Sequence, residues 1–289
     1  MGWNLHGTHA QDGELVQLVG LRHKSFIFRL QSGADFQSHR GVIHHDDIIG
    51  KPWGTQIVSH NGSPFFMLQP ALADLLRNIK RSTQILYPKD IGFILVTMGI
   101  GPGQHVLEAG TGSGAFTSAL AFNVGSEGHV TTYEARPEFQ ELAKKNLTLL
   151  GLDDRVTFKL GNIAEGFEET GVDALFLDVG NPWDYIPQVR AALKPGGYFG
   201  SILPTANQVT QLLTALGQNQ FAFMDVCEVM LRYYRAEPMR FRPTDRMIAH
   251  TGYLIFGRPV LIGDSQESMK LLEEAAVLPV EEDSRGDGF

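Results

Sequence analysis

The 289-residue sequence predicts an α/β protein, a largely parallel seven-stranded sheet preceded by a small β-domain. Three observations predict it. Residues 14–69 read as short apolar strands cut by glycines. From about residue 80 to 258, buried-looking apolar runs alternate with stretches of helical period, as a parallel sheet with crossover helices requires. One of those runs ends in a glycine-rich turn, Gly110-Thr111-Gly112-Ser113-Gly114, that opens a helix at Ala115.

The N-terminal strands are clearest at 15–19 and 24–30, with turn signals at Gly20, Gly33, Gly41, Gly50 and Asn61-Gly62. A helical stretch is expected at about 70–80. The seven strands of the main sheet are expected at 105–108, 129–133, 156–160, 174–177, 198–203, 223–231 and 251–256. Between the second and third, Pro137 suits a first helical position. Phe139, Leu142, Ala143, Leu147 and Leu150 then share one face, Phe139 being expected in the core, and Gly151 can end the helix. The chain divides accordingly into residues 1–69, the β-domain with RNA or oligomer contacts; 70–263, the catalytic part; and 264–289, an acidic, partly disordered tail.

Composition narrows the classes. A single cysteine, Cys227, excludes an internal disulfide framework and a cysteine-based zinc site, so no metal is expected and a reducing cytoplasm is the expected compartment. No apolar run has spanning length, and the first residues lack the basic flank and apolar stretch of a secretion signal, so no membrane partner is expected. The formal charge of −8 speaks at first against nucleic acid. Its distribution reverses that. Residues 264–289 carry a net −6, leaving −2 for the rest, and residues 228–258 carry six arginines against three acids, with Tyr233, Tyr234 and Phe241 between them. Such a basic, aromatic stretch suits RNA.

The glycine turn is ambiguous by spacing alone. Gly110, Gly112 and Ala115 also satisfy a dinucleotide fingerprint, and Glu134 at the end of the next strand suits a ribose diol in either kind of site, or a cap on the Pro137 helix. Charge separates the two. A dinucleotide brings a pyrophosphate, which Glu108 and Asp178 would repel; S-adenosylmethionine brings a sulfonium and an ammonium, which they attract. The cofactor expected at Glu108, Gly110, Gly112, Ser113, Gly114, Ala115 and Glu134 is therefore S-adenosylmethionine, and the sheet that of a class I, Rossmann-like methyltransferase. Asn162, just past the third strand, is placed either for the adenine edge or for a turn.

Further segments carry a resemblance: Thr83-Gln84-Ile85-Leu86-Tyr87-Pro88-Lys89-Asp90, Tyr133-Glu134-Ala135-Arg136-Pro137 and His250-Thr251-Gly252-Tyr253, together with Glu108 to Gly114 and Asp178 to Trp183. Over about residues 83–258 the chain resembles the tRNA (adenine-58-N1) methyltransferases, the TrmI group. The resemblance implies a homotetramer and methylation of N1 of an adenosine in the T loop of tRNA, at position 58, with 57 as a further candidate. It implies that Asp178 is the catalytic carboxylate, that Tyr87 lies beside the target base, and that Gln84 and Leu86 contact cofactor or target.

The chemistry agrees from below. In an in-line displacement adenine N1 attacks the sulfonium methyl, and positive charge passes to the adenine ring. A carboxylate accepting a hydrogen bond from the N6 amine stabilises that charge and can take the N6 proton. Asp178, at the carboxyl end of the fourth strand, stands where open α/β sheets place their ligands. Trp183 either walls the pocket or starts a helix, and His250 either orients RNA or fills the core. The basic residues expected on phosphate are Arg22, Lys24, Lys80, Arg81, Arg232, Arg235, Arg240, Arg242 and Arg246. In one respect the chain departs from the family, since Gly180 stands where a proline is usual, and this loosens the turn after Asp178. Three other classes stay in view: a methyltransferase for another RNA or a small molecule, a non-catalytic tRNA-binding subunit, and a nicotinamide enzyme.

Overall fold

The structure, a computed structural model, describes residues 7–81, 84–245, 247, 249–263 and 265–276. At the N-terminus, β1 (Leu15–Gly20), β2 (Ser25–Arg29), β5 (Gln56–Val58) and β6 (Pro64–Leu68) form an antiparallel sheet in the order β2-β1-β6-β5, and β3 (Asp35–Ser38) pairs with β4 (Gly41–His44) as a hairpin. Val16, Leu18, Ile57, Phe65 and Met67 alternate toward one buried face. Leu15 points the other way and joins the core of the larger sheet, so β1 serves both layers. The tip between β1 and β2 holds Arg22 and His23 in the left-handed region, at φ 60° and 56°.

Helices α1 (Leu72–Asn78) and α2 (Pro88–Thr97) lead into the main layer. Its strands are β7 (His105–Ala109), β8 (His129–Glu134), β9 (Val156–Leu160), β10 (Val172–Leu177), β11 (Leu193–Leu203), β12 (Phe221–Cys227) and β15 (Tyr253–Pro259), in the order β12-β15-β11-β10-β7-β8-β9. β15 runs antiparallel to β11 and β12, while the β7, β8, β9, β10 and β11 pairings are parallel. The chain builds outward from β7 first to β9 and then, on the other side, through β10. The carboxyl ends of β7 and β10 therefore frame the crevice where the winding reverses.

Period-two alternation divides the core into two halves. Val106, Ala174 and Leu254 face α2, α3 (Ala115–Val124) and α4 (Pro137–Leu150), whereas Leu107, Leu175 and Ile255 face α5 (Ile186–Ala192) and α6 (Ala206–Gln218). α4 ends as its sequence predicts, with Gly151 in the left-handed region and its N–H returned to Leu147 O and Thr148 O. Phe139 departs from its expected core position, being half-buried under the Arg136 guanidinium, 3.8 Å from the ring centroid.

All seven expected strands are present in the sheet, with shifted limits. β11 begins five residues early, at Leu193. β12 ends at Cys227 instead of 231, where its partner β15 also runs out near Tyr253; the pairing slips once before that, between Ala222 and Asp225, where Phe223 takes φ 54°. The excursion from 228 to 252 carries two short strands, β13 (Tyr234–Arg235) and β14 (Arg242–Pro243), paired only with each other. Helix α2 went unread in the sequence, although Pro88 at its start and the buried Ile91, Ile94 and Leu95 are its signal. At the acidic end, Gln266–Ala275 form a surface helix, α7, whose N-cap Ser265 accepts from Ser268 N–H at 3.1 Å. Residues 277–289 lie outside the described residues.

The start of α2 is clasped to the excursion. Lys89 Nζ donates to Asp90 Oδ1 (2.7 Å), Val229 O (2.6 Å) and Thr251 Oγ1 (2.6 Å), and Thr251 Oγ1 donates to Asp90 Oδ2 (2.9 Å). All three ammonium hydrogens are used, and both side chains are buried. Removing one partner would leave a buried charge uncompensated. Lys89→Met is expected to lower unfolding stability by about 3–5 kcal/mol in urea titrations, with a large part restored in the Lys89→Met/Asp90→Leu double variant.

Candidate cofactor and target-base site

The turn after β7 is a backbone solution to crowding. Gly110, Gly112 and Gly114 have φ of 98°, 52° and 79°, which glycine adopts without strain. At residue 110 a Cβ would sit 2.1 Å from the carbonyl oxygen of Asp178, and at residue 114 it would meet Leu147 Cδ1 at 2.9 Å and Ala143 Cβ at 3.0 Å. The first glycine thus brings the turn against the end of β10, and the third seats α3 on α4. Asp178 N–H donates to Ala109 O (2.8 Å) and Gly110 N–H to Tyr133 O (2.9 Å), tying three strand ends together.

Three carboxylates stand around this turn. Glu108 is fully buried beneath it, where Oε2 accepts from Thr117 Oγ1 and Thr132 Oγ1, each at 2.6 Å. Burial pushes its pKa up to about 8, against those two hydrogen bonds, and the charges of Asp178 and Glu134 add to the rise. Glu134 is held on its strand end. Oε1 accepts from Ala135 N–H and Arg136 N–H, both at 3.1 Å, and pairs with Arg136 Nε at 3.4 Å; Oε2 accepts from Gly112 N–H at 2.9 Å. One oxygen thus braces the approach to α4, and the other holds the glycine turn with a lone pair to spare.

Asp178 follows β10 and lines an open cavity of about 340 Å3 together with Gln84, Leu86, Tyr87, His250 and Thr251. Among the described residues none donates a hydrogen bond to its carboxylate. Its surroundings desolvate it and Glu134 repels it, so its pKa is raised to about 6, although solvent reaches the carboxylate through the open cleft. Tyr87 precedes Pro88 in extended conformation (ψ 149°), as that dipeptide requires, and this sets it on the wall. His250 sits at the mouth with Nδ1 2.8 Å from Glu228 Oε2 and Nε2 3.2 Å from Pro204 O. Both neighbours are acceptors, so both ring nitrogens must donate, and the pKa is raised, chiefly by the bond to Glu228.

The remaining candidates fall elsewhere. Asn162 Oδ1 accepts from Ala164 N–H (3.0 Å), the turn role. Trp183 lies in the 3-10 turn Pro182–Tyr185 and packs on the α5 and α6 side of the core, not on the cavity. Arg22 and Lys24 are exposed at the β1–β2 tip, and Lys80 and Arg81 are exposed between α1 and α2. Arg235 and Arg242 both pair with Asp245 at 3.0 Å, Arg232 lies 5.9 Å from the Tyr234 ring centroid, and Arg240 is exposed in the 3-10 turn Pro238–Arg240. Arg246 lies outside the described residues. Asp90, Thr251 and Glu228 were missed in the sequence, where nothing marks a buried ion-pair partner or a histidine's acceptor.

These residues fit a cationic adenosyl cofactor and not a dinucleotide. The Gly112 amide, which a pyrophosphate would need, already serves Glu134, acidic neighbours add to the raised pKa of Glu108 and of Asp178, and Ser113 Oγ is buried at the turn without a partner among the described residues. This strand order with a carboxylate-lined turn at its reversal defines a class I S-adenosylmethionine-dependent methyltransferase. Residues 65–251 match the family described as the tRNA methyltransferase complex GCD14 subunit, and the chain belongs to that family; residues 10–57 match a TrmI-like N-terminal family. It is 34% identical over 267 residues to the tRNA (adenine(57)-N(1)/adenine(58)-N(1))-methyltransferase TrmI of Methanocaldococcus jannaschii, covering 83% of this chain and 93% of that one. The tRNA (adenine(58)-N(1))-methyltransferase TrmI of Thermus thermophilus is 32% identical over 233 residues, 80% and 91% of the two chains. Among solved structures, a SAM-dependent O-methyltransferase from Thermotoga maritima superposes with TM-score 0.82 at 40% identity, over 91% of this chain and all of that one. The tRNA (m1A58) methyltransferase TrmI from Aquifex aeolicus gives 0.74 at 36% identity, over 88% and 99%.

The raised carboxylates make cofactor binding pH-dependent. A cation arriving at Glu108 and Asp178 lowers their pKa values, so binding expels protons and tightens as pH rises from about 6 toward 8. Calorimetry in two buffers of different ionisation enthalpy should report proton release at pH 7; proton uptake would contradict this arrangement. Gly180 is open on all sides and outside the positive-φ region, and its carbonyl accepts from Gln208 Nε2 at 3.2 Å. Gly180→Ala is accordingly expected to raise unfolding stability by about 0.4–1 kcal/mol in thermal melts.

Proposed function

We propose that this chain transfers the methyl group of S-adenosylmethionine to N1 of an adenosine in the T loop of tRNA, at position 58, with position 57 the other candidate acceptor. One observation carries the reading: Asp178, with no donor on its carboxylate among the described residues, and Tyr87 share one cavity at the carboxyl ends of β7 and β10. The names of the relatives agree with it.

Bound S-adenosylmethionine supplies an electrophilic methyl group on a positively charged sulfur. Glu134 Oε2 would hold the ribose, the glycine turn and Ser113 the amino-acid part, and Gln84 and Leu86 the flank nearest the target. Asp178 accepts a hydrogen bond from the target's N6 amine, stabilises the ring as it becomes cationic, and takes the N6 proton. Tyr87 lies along the base, while Leu86 and Ile202 exclude water from one side. His250, bonded to Glu228 and Pro204 O at the mouth, would meet a phosphate of the RNA.

Two further readings belong here. The division at residues 69 and 263, with the β-domain and the arginines of 232–246 meeting RNA, rests on composition and on the exposure of Arg22, Arg232, Arg240 and Arg242. Assembly as a homotetramer, the arrangement the resemblance implies, is supported by an apolar band on the 228–252 excursion, where Met230, Met239 and Phe241 are exposed. Light scattering of the purified chain at four times its monomer mass is the expected result. The lone Cys227 suits a reducing cytoplasm, where tRNA is also found, and among the described residues no helix is long and apolar enough to cross a membrane.

The decisive experiment incubates the protein with labelled cofactor and unmodified tRNA and maps the product. Methylation at N1 of adenosine 58 is expected. Turnover of small hydroxylated compounds without RNA would instead favour the chemistry named for the Thermotoga structure. Asp178→Ala should keep most cofactor affinity and lose about 100- to 1,000-fold in kcat. Because Asp178 must be ionised to act, kcat/KM should fall about tenfold per pH unit below its raised pKa of about 6, a limb that Asp178→Asn lacks.

A further inference from the structure

Tyr87 and Ile85 are walls of two cavities. On one side lies the Asp178 cavity; on the other is a larger one of about 860 Å3, within the range of about 300–1,000 Å3 typical of ligand pockets. Its surface has three kinds of character. Leu231, Met247 and Ile85 give it an apolar floor, and Tyr233, more than half exposed, offers a ring face. Arg77 and Arg81, on and just beyond α1, bring cationic groups to its edge, Arg77 from a solvent-exposed pair with Asp74 at 3.6 Å. Two other charges are accounted for: Asp245 is paired with Arg235 and Arg242, and the Lys89 ammonium is held in its clasp, so Lys89 presents only its stem.

We propose that this second cavity is a nucleotide site, which receives the nucleotide adjoining the target on the same RNA strand. Its base lies on Tyr233 and the apolar floor, and its phosphate meets Arg77 and Arg81. An apolar floor with an aromatic face and an arginine rim matches a nucleotide's base and phosphate in one ligand. The shared wall supplies the continuity. A strand that inserts one base beside Asp178 has its neighbour displaced to the far face of Tyr87, so that Tyr87 becomes the divider between two consecutive bases. Occupying both cavities would fix which of two neighbouring adenosines reaches Asp178, making Tyr233 a specificity-determining residue. The inference rests on the tRNA reading above and deepens it.

The test uses the full chain and tRNAs assembled by ligation with a single abasic residue immediately 5′ or 3′ of the target. For the wild type, an abasic residue on one flank is expected to lower kcat/KM about tenfold, the size of a lost base–aromatic stack, and on the other flank much less. Tyr233→Ala should lower kcat/KM on intact tRNA about tenfold, with unchanged calorimetric affinity for S-adenosylhomocysteine, and should lose nothing more on that abasic tRNA. Tyr233→Phe should behave as wild type. Arg77→Gln/Arg81→Gln should flatten the dependence of log affinity on log salt by about one. Insensitivity to an abasic residue on both flanks, or losses from Tyr233→Ala and the abasic residue that simply multiply, would overturn the site while leaving the tRNA reading intact. A wild type that fails to methylate any tRNA would overturn both.

Discussion

The carbonyl oxygen of Asp178 lies where a side chain at residue 110 would have to be. From that close approach follow the other features of the site. The ends of β7 and β10 can meet only if one of them is bare backbone, and once they meet, the glycine turn lies directly against the residue whose carboxylate lines the cleft. The sheet order makes those two strands neighbours, and the glycine allows their loops to touch. Neither alone would bring a cofactor turn and a reactive carboxylate into register.

Such a meeting has an electrostatic cost, and the chain distributes it unevenly. Glu134 accepts from three backbone amides and pairs with Arg136. Glu108, with only two hydroxyl donors under full burial, is pushed toward its neutral form. Asp178 lies between these extremes, raised but open to solvent. Three acids of identical formal charge thus play different parts: one anchored, one held in reserve beneath the turn, and one exposed to whatever enters the cleft. A cationic ligand would favour the charged forms of Glu108 and Asp178.

The fold was legible because its signals are local and periodic. The apolar runs, the Pro137 and Gly151 limits of α4 and the glycine turn each reflect one residue's backbone or one strand's alternation. The reacting cavity was legible only where a residue sits on such a signal: Asp178 at a strand end, Tyr87 before a proline. Its other walls were not. Asp90 and Thr251 find each other across 161 positions and Glu228 finds His250 across 22, and a sequence pattern carries no record of such pairings. Phe139 shows the reverse failure, since helical spacing assigned it to the core and a cation from the helix's own N-cap covers it instead. The sixth strand ran long for a similar reason, because apolar residues continue past Cys227 onto a surface excursion.

Lys89 grips the excursion at both of its ends, holding Val229 where the chain departs and Thr251 where it comes back. A loop cinched at its neck is mechanically separate from the sheet that bears it: the strands on either side are set by the knot and not by the length or contents of the lasso. Residues 230–250 can therefore be lengthened, trimmed or rewritten in the course of divergence while β12 and β15 keep their register. The most variable contact surface of such a protein would hang from one of its most rigid points.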